Sequence, residues 1–156
     1  MLGRVYSAQF NGSAQTAQVD FFELNAASTK IVELLEVHLS QLTEVADAQE
    51  EMLLVLIKSG QTTSGSGGSA PTAVPRQLGD AAFAGTVETV NTTKASAGTI
   101  VTHEAHNWNI RVPFQRIWTP ETTIVIPTSG RLTVELATTP ADSITFAGTA
   151  LFREVG

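Results

Sequence analysis

His103-Glu104-Ala105-His106 is where metal-ligand side chains crowd together in this sequence. Two imidazoles and a carboxylate could bind zinc. The spacing is one residue short of HExxH, which sets both histidines on one helix face. In a strand, residues 103 and 106 point to opposite faces, so no metal site is expected here. His38 has no partner in sequence. Asp47, Glu50 and Glu51 could surround calcium, but their spacing matches no calcium loop; they read as acids of an exposed loop. Ser69 lacks the flanking glycines and strand-to-helix context of a nucleophile elbow. Gly65, Gly67 and Gly68 are followed by no Lys-Ser/Thr, so they form no phosphate loop; they read as flexible loop residues. There is no cysteine, which removes disulfides, thiolate zinc sites and thiol nucleophiles. The expectation is no enzyme and no cofactor.

The elements around these residues read as strands. Arg4–Phe10 is a first strand and Asn11-Gly12-Ser13 a turn. Thr16–Leu24 is a second strand, with Val19 and Phe21 facing one way and Phe22 and Leu24 the other. Residues 30–42 fit a helical stripe (Ile31, Leu34, Leu35, Leu39, Leu42) or an alternating strand (Leu35, Val37, Leu39). Neighbouring strands favour the strand, with Leu34-Leu35 as a bulge. Thr43–Glu50 is an acidic loop, and Glu51–Lys58 is apolar on both faces, as in a strand buried from two sides. Phe83 stands as an aromatic anchor before a short strand at Thr86–Val90. The C-terminal half alternates cleanly through Thr99–Trp108, Ile110–Gln115, Ile124–Ile126, Leu132–Ala137 and Ile144–Phe152, with Pro113 marking an edge or bulge. The 156 residues read as one all-β domain. They predict a jelly-roll-like β-sandwich of roughly eight or nine antiparallel strands.

One segment breaks the pattern. Gln61–Pro75, QTTSGSGGSAPTAVP, is rich in Gly, Ser, Thr and Pro. Loops this long usually have a task. With residues 61–77 as an extended loop and residues 1–12 as an N-terminal arm, the chain has two segments suited to lying along a neighbour. Gln61, Thr62, Thr63 and Ser64 would contact the partner, and Arg76 would anchor the arm on an acidic patch. Residues 1–51 offer such a patch: eight acids against two bases, while the rest balances at seven against seven. There is no basic stripe, so nucleic acid is not an expected partner, and no segment is long enough to suggest a membrane span. Trp108 and Trp118, with Leu151 beside Phe152, look like apolar surface beyond the needs of one core. They predict a homotrimer. The tryptophans could instead stack on sugars.

The opening VYS…F segment, DAQEE at 47–51, MLLVLIKSG running into TTSGSGGSAPTAVP, and the final ITFAGTALFREVG together resemble a family of small, mostly uncharacterised proteins of tailed bacteriophages and prophages. The resemblance covers most of the chain and brings no catalytic residues. It implies a virion structural protein: a head decoration or cement protein on the capsid exterior, trimeric, contacting the major capsid protein lattice and made in the host cytoplasm. Two other classes compete. One is a receptor- or carbohydrate-binding jelly-roll module of a fibre or cell surface. The other is a cupin-like enzyme, which needs clustered His and Glu ligands that this sequence does not supply.

Overall fold

A computed structural model describes residues 3–43 and 51–156. Most of the acidic loop expected at Thr43–Glu50, with Asp47 and Glu50 of the calcium reading, falls outside them. The described residues form eleven strands, rather than eight or nine: β1 (Arg4–Gln15), β2 (Val19–Asn25), β3 (Ile31–Gln41), β4 (Met52–Thr63), β5 (Val74–Pro75), β6 (Thr86–Asn91), β7 (Ser96–Asn109), β8 (Phe114–Ile117), β9 (Ile124–Ile126), β10 (Arg131–Leu136) and β11 (Ile144–Val155). Sheet A runs β5-β1-β11-β3-β8, with β9 also on β3; sheet B runs β6-β2-β10-β4-β7. Every pairing is antiparallel. β1 pairs with β11, β2 with β10, β3 with β8 and β9, and β4 with β7. The chain is thus one long hairpin whose arms pair from the outside inward, then roll into two layers. That is the jelly-roll order.

Alternation places the core. Along β11 every second residue from Ile144 to Glu154 is buried, and Val32, Leu34, Val37 and Leu39 of β3 face the same layer. Residues 30–42 are therefore the strand expected. Leu151 pairs with Glu36 but Phe152 pairs with Leu34, leaving Leu35 as the extra residue of a bulge. β4 differs from expectation. Leu53, Val55 and Ile57 are buried but Leu54 and Leu56 are only half-buried, so one face meets the core.

Two further bulges correct the sequence reading. Asn11-Gly12-Ser13 is not a turn. It lies inside β1, where the register shifts between Phe10 and Ser13 and Gly12 takes φ 70°. A bulge with a left-handed glycine uses the residue types of a turn. Residues 4–12 are accordingly a strand of sheet A, not a free arm. In β2 the register shifts between Val134 and Glu135 opposite Phe21. Phe21 and Phe22 therefore do not face opposite ways. Both meet Phe10, with ring centroids 5.7 and 5.3 Å away.

Both open sides of the sandwich are closed. On one side the segment between β4 and β7 adds β5 to sheet A and β6 to sheet B, and Phe83 packs against Tyr6 and Phe152. On the other side Glu104 of β7 reaches Arg116 of β8 and Trp118 just beyond it. β7 is a long edge strand. It carries extra residues near His103 and near Thr99–Ile100, and such bulges bend an edge away from further pairing.

Candidate interaction surface

The outer faces of the two sheets differ. Sheet B has the outer face of β2 and β10 covered by the chain itself, while β4 and β7 stay partly open. Asp20, Glu23, Thr133 and Glu135 point outward from β2 and β10 yet are buried: the segment after β4 lies over Glu23, Gln61 reaches Thr133, and Lys94 and Ala95 between β6 and β7 cover Glu135 and Asp20. Ser66 and Ser69 bridge to Thr93 and Thr89. Glu23 accepts hydrogen bonds from Ser64 Oγ at 2.6 Å, the Gly65 N–H at 2.9 Å and Asn91 Nδ2 at 3.0 Å. It also pairs with Arg131 Nε at 2.7 Å. Glu135 receives Lys58 and Lys94. Burial pushes its carboxyl up, but these two lysines outweigh that and hold it below the usual range. Asp20 accepts the Ala95 N–H at 2.7 Å. Burial pushes its carboxyl to about 7; that hydrogen bond opposes the shift, and the charges of Glu135 and Glu23 add to it.

This arrangement corrects the expectation that residues 61–77 form an extended arm. Gln61, Thr62 and Thr63 end β4, Val74-Pro75 pairs with Tyr6 and Ser7, and the residues between are a strap. Its glycines serve close approach rather than flexibility alone. A Cβ on Gly68 would lie 2.1 Å from the Thr89 carbonyl oxygen, and one on Gly65 would lie 2.6 Å from that of Thr93. Gln61 is buried and donates through Nε2 to Thr133 Oγ1 at 2.9 Å. Thr62, Thr63 and Ser64 are exposed residues, although the Ser64 hydroxyl is already used by Glu23. Arg76 is exposed, and its charge acts on Glu36 of the same chain. Burial pushes the Glu36 carboxyl up, while bonds from His38 and Gln115 and the charges of His38 and Arg76 bring it down.

Trp108 and Trp118 are 2 % and 5 % exposed, which corrects the expectation that they stand free for a partner or a sugar. Trp108 packs on Phe114 and Phe146 and donates to the Val112 carbonyl at 2.6 Å. Trp118 donates to Glu104 at 2.8 Å. Phe152 is core, while Leu151 beside it is half-buried on the outer face of sheet A.

That outer face is built as registered rows. Val74, Ser7, Leu151, Glu36 and Ile117 lie side by side across β5, β1, β11, β3 and β8. Val5, Arg153, Glu33 and Val125 form the next row. Val74, Ile117 and Val125 are each more than half exposed. Between them Arg153 pairs with Glu33, and His38 lies against Glu36. Sequence reasoning singles out Leu151 but passes over the others, because each looks like the solvent side of an alternating strand. Only the register shows that they line up.

The histidines are dispersed. His38 meets Glu36, His103 meets Ser59 Oγ at 2.7 Å, and His106 meets Glu104 at 2.7 Å. Among the described residues no three His, Cys, Asp or Glu gather as a metal site. No protein-family model matches the chain, and neither does any curated protein or solved structure.

Proposed function

We propose that this chain is a structural, non-enzymatic virion protein of a tailed bacteriophage. In this reading it decorates or cements the capsid exterior as a homotrimer, after synthesis in the host cytoplasm. One observation carries the proposal: the two sheets are finished differently. The strap covers the β6 and β2 part of sheet B and Gln61 reaches Thr133 of β10, while sheet A keeps an uncovered outer face of registered rows with exposed Val74, Ile117 and Val125. Such a face suits a broad, shallow contact with the major capsid protein lattice. Apolar area buried there contributes about 25 cal/mol per Å², and charges already paired within the chain need no new partner. The resemblance to small phage proteins gives the direction. The carbohydrate-binding reading is weaker, because the two tryptophans on which it depends are core residues.

The test is a protein gel and mass spectrum of purified particles from the source genome. Hundreds of copies per particle are expected. A few copies would point to a fibre, and absence from particles would overturn the proposal.

A further inference from the structure

We propose that Leu78 is a docking knob that seats in an apolar socket on a second copy of this chain. The inference rests on the self-association just proposed and names its contact. Leu78 is 93 % exposed. A single exposed leucine needs no explanation in general, but this one is held in place. The Arg76 N–H donates to the Val5 carbonyl at 2.8 Å. Arg4 faces Asp80 at 3.8 Å. The Tyr6 hydroxyl donates to the Ala81 carbonyl at 2.9 Å, and the Ala84 N–H donates to Glu154 at 3.0 Å. Inside the turn the Asp80 N–H donates to the Gln77 carbonyl at 3.2 Å, and Gly79 takes φ 93°. A turn ordered before contact loses little further freedom on binding.

The socket is built from the chain on either side of this turn. Pro71, Ala73, Ala82, Phe83 and Val87, with Thr72 and Thr86 among them, line a mostly apolar pocket of about 240 Å³ with no charged residue in its wall. Leu78 does not fill the socket of its own chain, since almost all of its side chain is exposed. An uncharged socket suits an uncharged knob, and every copy presents both. A contact of one surface with a different surface on the next copy closes into a ring when its rotation permits. A rotation of one third of a turn gives the trimer proposed above, whereas a two-fold would give a dimer in which each copy seats the other's knob. The exposed edge of β7 is a poorer candidate, because its bulges interrupt the flat backbone that strand addition needs.

Native mass spectrometry and light scattering on the whole protein at micromolar concentration test this. The wild type, Leu78→Asp and Ala82→Trp are compared, with thermal unfolding to confirm that each variant folds. Both changes are at exposed positions. Each variant is expected to lose the oligomer, with association weakened about tenfold or more. An equimolar mixture should recover a heterodimer, since one variant keeps its socket and the other its knob. An oligomer that survives Leu78→Asp unchanged overturns the knob but leaves self-association standing. A wild type that stays monomeric overturns both. Leu78→Ser separates loss of the knob from charge repulsion: it too must weaken association, or the contact is not apolar.

Discussion

Glu104 and Arg116 join the two sheets through their side chains. Arg116 Nε donates to Oε2 at 2.8 Å and Nη2 to Oε1 at 2.7 Å, a two-pronged ion pair between β7 and β8. Trp118 Nε1 adds a third donor and His106 lies 2.7 Å from Oε2. The guanidinium also sits 5.0 Å from the Trp118 ring centroid. Part of the tetrad that looks like an incomplete metal motif thus works as a clasp.

The clasp gives an acid-stability prediction. The hydrogen bonds from Arg116, against a smaller opposing effect of burial, hold the Glu104 carboxyl at about 2, below its ordinary 4.5. A depressed carboxylate stabilises the fold fully above the unfolded value and loses that contribution as pH falls through the folded one. The melting temperature should therefore drop as pH falls from 4.5 towards 2. Glu104→Gln should be less stable at pH 7, by roughly 2 kcal/mol for charged hydrogen bonds lost, and should lack this part of the acid slope. Equal slopes in both proteins would mean the clasp is not coupled to folding.

Asp20 should act in the opposite direction. Its carboxyl sits at about 7 in the fold against an ordinary 3.8. The unfolded chain gives up this proton first, so Asp20 costs stability increasingly as pH rises from 3.8 to 7, and the cost levels off above that. Asp20→Asn keeps an acceptor for the Ala95 N–H. It should gain stability relative to the parent above pH 7 and flatten the curve between those values. Urea titrations at several pH values would show this; a variant less stable at pH 8 would contradict it.

Shortening the strap should damage the fold. Replacing residues 62–74 with a short turn would remove the Ser64 and Gly65 donors to Glu23 and uncover a polar sheet face. The length change itself matters little, whereas a buried carboxylate left short of partners costs several kcal/mol. Gly68→Ala makes the same point more gently, because its Cβ would meet the Thr89 carbonyl. Both variants should unfold at lower urea than the parent, and an unchanged midpoint would show that the strap is ornamental.

Tryptophan fluorescence should report burial. With Trp108 and Trp118 both inside, native emission should be blue-shifted and poorly quenched by iodide. Neutral oligosaccharides should leave it unchanged. Strong quenching in the native state would restore the surface reading of these residues.

The strand pattern was the legible part of this molecule. Alternation along Ile31–Gln41 and Ile144–Val155 and the adjacent Leu34-Leu35 pair carry their structure in the sequence itself. The bulge at Gly12 hides behind turn chemistry, since both need a residue tolerant of positive φ. Gly65 and Gly68 read as freedom because glycine is chosen both for motion and for close packing. The clasp needs residues 104, 116 and 118 to meet across two sheets, and the sheet A rows need the register of six strands. Neither relation exists before the chain is folded.

The nested pairing also fixes an order of events. β4 and β7 lie closest together in the hairpin, whereas β1 must wait for β11, whose residues 144–155 come more than a hundred positions later. Loop closure over such a separation precedes any reward from pairing, and folds dominated by such contacts form slowly. During synthesis Tyr6, Ala8 and Phe10 stay without their β11 partners until almost the whole described chain has left the ribosome. That interval, rather than the finished sandwich, is when aggregation is the greater hazard.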